Sequence, residues 1–315
     1  MRCLVDGHCD TLSKALDEKS NLENRKYCFN LIDANKQVPC IQMMASYIEP
    51  KYVTNRLDAF NRAINILEHF EKQKEKNKEQ IISILNKEDL NRAINEKKIG
   101  IILTIENGSA ISGDIKNIEK LYEKGIRIMS VTWNEDNDLG CGALTKNDKG
   151  LTRLGEEYIR NLDKKSIIID ISHSSEKTFW DITKCSNNIL VATHSCVYSI
   201  CNHPRNLKDE QIIEIAKRKG IIGICFASDF LNKSGKSNSN DIISHIKYIK
   251  DLVGIDYIGL GSDFDGVDFD KMPSDIRGIK DINKLEENMK KEGFTDIEIN
   301  KVMGENWLRV LRNIL

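Results

Sequence analysis

Short, nearly continuous runs of Ile, Val, Leu and Met alternate along this chain with longer stretches in which apolar residues recur at helical spacing, and the alternation repeats about eight times. The runs occupy 3–10, 41–48, 99–106, 126–133, 167–173, 189–194, 221–227 and 257–263. Such runs are what parallel strands buried on both faces require. The stretches 55–73, 115–123, 151–162, 175–183, 208–218 and 241–252 carry apolar stripes on a charged background and predict helices. Gly125, Gly220 and Gly254 each close a helical stretch before a strand, where a left-handed residue is wanted. Eight βα units with short αβ links predict an α/β fold, a closed (β/α)8 TIM-like barrel. An open doubly wound sheet is the alternative, but no Gly-x-Gly-x-x-Gly follows a strand.

Three insertions, 11–39, 134–150 and 228–240, break the rhythm, and each follows a strand. Long βα loops lie at the C-terminal mouth of a barrel, where substrates bind. The last, rich in Ser, Asn and Gly, is expected to be mobile without ligand. Beyond the eighth strand, 281–315 reads as a helical tail packed on a single barrel domain spanning 1–315, with Trp307, Leu308, Val310, Leu311 and Ile314 forming its apolar face.

Composition narrows the class. Lys plus Arg is 47 and Asp plus Glu 48, so no basic field invites nucleic acid. No apolar run approaches the ~20 residues needed to span a bilayer, and nothing at the start resembles an export signal. Nine scattered cysteines, with no C-x-x-C pair, suit a reducing compartment, and the chain reads as cytoplasmic. Cys9 sits between His8 and Asp10, and strand alternation turns it away from both.

The chemistry is at the strand ends. In DGHCD the first strand places His8 and Asp10 on one face, two residues apart. The third ends in Glu106, the fifth in His173, the sixth in His194 and the eighth in Asp263. A histidine closing a strand is ordinarily a hydrogen-bonded rim residue. Three histidines and three carboxylates at one mouth instead suit divalent metal, with zinc favoured and manganese or cobalt as alternatives. Five ligands, with Glu106 able to bridge through its two oxygens, suit two ions.

The ordered motifs DGHCDTL, TIENG, DISHSS, ATHSCVYSICNHPRNL, GLGSDFDG and GENWLRVL resemble the membrane (renal) dipeptidase family of zinc peptidases. The resemblance implies a TIM-like barrel of the metal-dependent hydrolase type, a binuclear Zn2+ site and hydrolysis of dipeptides, in a homodimer. It implies that His8 and Asp10 hold one zinc, His173 and His194 the other, and that Glu106 bridges them. A bridging hydroxide is then the nucleophile, Asp263 the catalytic acid/base, and Arg205 the residue that grips the substrate carboxylate. Arg205 also suits that task by its planar fork of donors. One departure stands out. Trp133 occupies the place of a substrate-contacting histidine, leaving Trp133, Asn134 and His203 as the expected pocket residues.

Asp6 either orients His8 from one layer deeper or is a structural carboxylate, and Asp170 has the wrong parity to join His173. His69 and His245 fall on helices as surface residues. The same barrel could hydrolyse a lactone, cyclic amide or phosphoester, or bind metal without catalysis.

Overall fold

The computed structural model describes residues 3–53 and 56–315. Nine parallel strands, β1 Leu4–Cys9, β2 Cys40–Tyr47, β3 Ile81–Ser83, β4 Ile99–Glu106, β5 Ile126–Ser130, β6 Ile168–Asp170, β7 Leu190–Ser195, β8 Ile221–Ile224 and β9 Ile258–Leu260, form one sheet. Eight of them close on themselves through the β2–β4 pairing, giving a TIM barrel with helices between the strands. All eight expected runs appear, several shorter than the apolar pattern suggests. The ninth, β3, is too short to carry a readable period. It pairs with residues 99–101 of β4, and β5 takes over the same edge from Leu103 onward.

The core has two parts. Leu4, Ile101, Leu103, Ile169, Ala192 and Ile224 pack outward under the helices. Val5, Met43, Ile102, Ile128, Ile168, Val191 and Ile221 gather in a second cluster around Trp307, whose indole donates to the Leu260 carbonyl at 2.9 Å. Helix Asn306–Ile314 is further tied to the barrel by Arg309, which donates to the carbonyls of Gly220 and Asp256, each at 2.9 Å.

Helix Arg56–Lys76 covers one flank, and Asn55, where the pattern starts it, lies outside the described residues. Gly125 and Gly254 have positive φ, as their positions demand. Gly220 differs: the left-handed residue there is Lys219, φ 60°, and a Cβ on Gly220 would strike the Leu190 carbonyl.

The insertions are built, not slack. Segment 228–240 contains helix Ser228–Leu231, and the Ser228 and Ser237 hydroxyls meet at 2.7 Å. Asn238 then caps helix Ser239–Val253, so Ser and Asn here serve as caps where mobility was expected. Insertion 11–39 is pinned by Asp265, whose carboxylate accepts from the Thr11 hydroxyl and the amides of Cys28 and Phe29. His245 is not a surface residue. It is fully buried, with Nδ1 accepting from the Val197 amide at 3.0 Å and Nε2 3.0 Å from the Leu231 carbonyl.

Candidate metal centre

Two strands deliver their histidines through irregularities in pairing. β1 pairs with β2 as Asp6 with Gln42 and then Cys9 with Met44, so one extra residue is accommodated between them. β7 does the same against β8 between Ala192 and Ser195. Bulges of this kind re-aim side chains, and His8 and His194 sit inside these two. Two other groups are placed by left-handed backbone beyond their strands: His173 has φ 67° and Asp263 φ 59°. Non-glycine residues tolerate this conformation at a cost of order 1–3 kcal/mol, which a surrounding framework must hold. Part of the framework is visible: the Asp263 amide donates to the His8 carbonyl, and the Asp10 amide to the Phe264 carbonyl at 2.9 Å.

The six side chains converge. His8 Nε2 is 3.4 Å from Asp10 Oδ2, 3.4 Å from Glu106 Oε2 and 3.9 Å from Asp263 Oδ1. On the other side His173 Nε2 is 2.8 Å from Glu106 Oε1 and 2.8 Å from His194 Nε2. Three overlapping groups are compact enough to hold an ion: His8, Asp10 and Glu106; Glu106, His173 and His194; and His8, His194 and Asp263. Glu106 belongs to two of them through different oxygens.

These residues fit divalent metal on physical grounds. His8 Nε2 and Asp10 Oδ1 are buried without a hydrogen-bond partner, an arrangement proteins avoid unless something else binds there. His173 is turned by Asn134, whose side-chain oxygen lies 2.8 Å from Nδ1, so that Nε2 faces the cluster. A cation is what makes such close nitrogens and carboxylate oxygens mutually favourable. Gly266 leaves the room, because a Cβ there would collide with both Asp10 and Asp263.

In the ion-free protein burial pushes the Glu106 carboxyl up to about 7, with the Asp10 charge adding to the effect. Burial likewise raises Asp263 well above the ordinary range. His8 goes up despite its burial, because Glu106 and Asp10 favour its charged form. Burial holds His173 and His194 well below the usual value. Ions need the deprotonated ligands, so uptake should expel protons, and affinity should weaken by roughly tenfold per pH unit for each proton displaced as pH falls below about 7. Calorimetric titration in buffers of different ionisation enthalpy reads this directly. Uptake with no net proton release would contradict it.

A cavity of about 590 Å³ opens over the cluster, lined by Asp10, Glu106, His173 and Asp263 together with Tyr47, Trp133, Asn134 and Phe230. Trp133 packs at a tilt against both Tyr47 and His173, with ring centroids 5.4 and 5.9 Å away. Trp133 and Asn134 thus stand where a pocket residue should, and Asn134 also orients His173. Arg205 and His203 do not line this cavity. Arg205 is buried, donates through Nη2 to the His194 carbonyl at 3.1 Å, and lines a separate cavity of about 190 Å³. Its guanidinium lies 5.4 Å from the ring of Phe230, which does line the main cavity. His203 also packs on Phe230, its ring 4.6 Å away, and its Nδ1 accepts from the Arg205 amide.

Of the two readings of Asp6 the structural carboxylate holds, and Asp170 is clear of His173 as its parity predicts. Asp6 accepts from the Ser262 amide and hydroxyl and from Gln42, tying β1 to its flanking chain segments with no hydrogen bond to His8. Asp170 stays clear of His173 and turns to β7, accepting from the Thr193 amide and hydroxyl.

A closed parallel barrel with a buried histidine and carboxylate cluster at its C-terminal mouth defines a metal-dependent hydrolase. The chain belongs to the membrane dipeptidase family, peptidase family M19, whose model matches residues 2–315, and it is a metallo-dipeptidase by that membership. A Klebsiella pneumoniae protein described as an uncharacterized protein in the pqqA 5′ region is 31% identical over 240 residues, 73% of this chain and 88% of its own length. Among solved structures, a Rhodobacter sphaeroides metallo peptidase liganded with a phosphinate mimic of the dipeptide L-Ala-D-Ala superposes with a TM-score of 0.91 at 22% identity, over 100% of this chain and 99% of that one. An amidohydrolase from Pseudomonas aeruginosa gives 0.85 at 26% identity, over 99% and 96%. No helix among the described residues is long and apolar enough to cross a membrane.

Proposed function

We propose that the protein is a binuclear zinc dipeptidase in which His8 and Asp10 hold one ion, His173 and His194 the other, and Glu106 both. The observation that carries this reading is the pair of Glu106 oxygens, one facing His8 and the other His173, beneath a cavity of about 590 Å³. Bound ions supply a Lewis acid for the scissile carbonyl and lower the pKa of a water toward ~7. Asp263, on the cavity wall and close to His8, holds the proton lost by the attacking water and passes it to the leaving amine. Trp133 and Tyr47 offer an apolar wall to a substrate side chain.

Arg205 would meet the substrate's free carboxylate. A buried guanidinium wants a counter-ion, and no carboxylate of the described residues is within ion-pair distance of it, while Nε has no partner at all. Its guanidinium lies 5.4 Å from the ring of Phe230, which forms part of the main cavity wall. The free acid of a dipeptide should therefore be cleaved at least about 100-fold more efficiently, in kcat/KM, than its C-terminal amide, the size of a lost buried charge-assisted pair. Equal rates would remove Arg205 from the substrate's path.

The test of the whole reading is a zinc-reconstituted assay on L,L and L,D dipeptides, blocked forms and a tripeptide. L,D substrates are included because the phosphinate bound by the Rhodobacter sphaeroides structure mimics L-Ala-D-Ala. Turnover of free dipeptides is expected. Failure on all of them, with activity on a lactone, cyclic amide or phosphoester, would reassign the substrate.

A further inference from the structure

We propose that Thr193 and Asp170 are positioning residues of the metal centre, fixing His194 with its Nε2 lone pair turned toward the ion. The argument is a count of hydrogens. The Thr193 hydroxyl lies 2.6 Å from Asp170 Oδ2 and 2.9 Å from His194 Nδ1. It has one hydrogen to give. A carboxylate oxygen can only accept, and 2.6 Å is the distance of a charge-assisted O–H···O bond, so the hydrogen goes to Asp170. The hydroxyl must then accept from the imidazole, which places the ring proton on Nδ1 and leaves Nε2 free. Ser172 does not compete: its hydroxyl is 3.4 Å from that of Thr193 and accepts from the His194 amide.

The carboxylate is itself locked. Asp170 Oδ1 accepts from the amides of Ser172 and Thr193, each at 3.0 Å, and Asp170, Thr193 and His194 are all at most 4% exposed. Carboxylate, hydroxyl and imidazole thus form a relay that would back a bound ion, a carboxylate–histidine–metal arrangement with a hydroxyl inserted. The pairing irregularity of β7 makes it possible, since in a regular strand Thr193 and His194 would face opposite sides. His173 is held differently, by the neutral side-chain oxygen of Asn134. One histidine of this pair is therefore backed by a carboxylate and the other is not.

The inference rests on the reading of His194 as a ligand, and the experiment separates the two. Zinc affinity and stoichiometry are measured by calorimetry on the full chain for wild type, Thr193→Val, Thr193→Ser and His194→Ala. Thr193→Val, nearly isosteric, should weaken one of the two ions by about 10–100-fold and spare the other. Thr193→Ser keeps the hydroxyl and should restore binding. Unchanged affinity in Thr193→Val, or an equal loss in Thr193→Ser, would overturn the relay. If His194→Ala binds both ions normally, the ligand reading itself fails. Independently of any variant, an imidazole-labelled spectrum of the ion-free wild type, with six histidines to assign, should show His194 protonated at Nδ1. Protonation at Nε2 would overturn the proposal.

Discussion

Asp263→Asn should lower turnover of dipeptides by roughly 10²–10⁴-fold, the range for a lost general acid/base, while both ions stay bound. The substitution is unusually clean. Asp263 has φ 59°, and Asn is among the few residues that accept a left-handed backbone at little cost, so the chain path should hold. The amide nitrogen still reaches the His8 carbonyl, and the side-chain volume that Gly266 accommodates is unchanged. What is lost is the ability to hold and release a proton at this point. Kinetics and metal analysis on the same preparation check the prediction. A normal rate would move the proton transfer to another group, and loss of an ion would make Asp263 a ligand instead.

Glu106→Gln is expected to act in two opposite directions. It removes the charge shared between the two groups of ligands, so both ions should weaken, each by more than about 100-fold, the upper end for losing only an outer hydrogen bond. Asp10→Ala, by contrast, should weaken one ion. Turnover at limiting zinc should disappear with Glu106→Gln. Yet the ion-free variant should melt no lower than wild type, and at pH 8 higher. Burial raises the Glu106 carboxyl from 4.5 to about 7, so folding disfavours its charged form, and the resulting loss of stability grows as pH climbs through that interval. Gln has no charge to bury. Differential scanning calorimetry at pH 5 and pH 8, with and without zinc, separates the two effects. A destabilised ion-free variant at pH 8 would mean the carboxylate supports the fold.

Most of the barrel and all six clustered residues were legible because strand identity needs only an apolar run, and strand ends need only the next polar residue. Parity carried less far. It put His8 and Asp10 together correctly, since the slip in β1 shifts both, but it left Asp6 open between orienting His8 and a structural role; Asp6 lies before the slip and takes the structural one. It kept Asp170 apart from His173 correctly but gave no sign that Thr193 would face His194, because nothing in LVATHS marks the bulge in β7. His173 and Asp263 were found by their type, although they lie past β6 and β9 on left-handed backbone where alternation has no meaning. His245 was misplaced because a helix pattern shows which face is apolar and does not show that a loop folds over the other face; Val197 and Leu231 do so here. That Arg205 lines a cavity apart from the main one depends on how the segment after β7 packs against insertion 228–240, which neither segment reveals alone.

The seam between β1 and β9 sets a condition on how the protein is made. Asp6 and Ser262, bonded to each other, stand 256 positions apart, and between them lie all the other strands. During synthesis β1 leaves the ribosome long before β9 exists, and it waits with one edge unpaired, the kind of edge that recruits other chains. The same closure brings Asp263 beside His8, so this wall of the site is complete only once the last strand has joined the first.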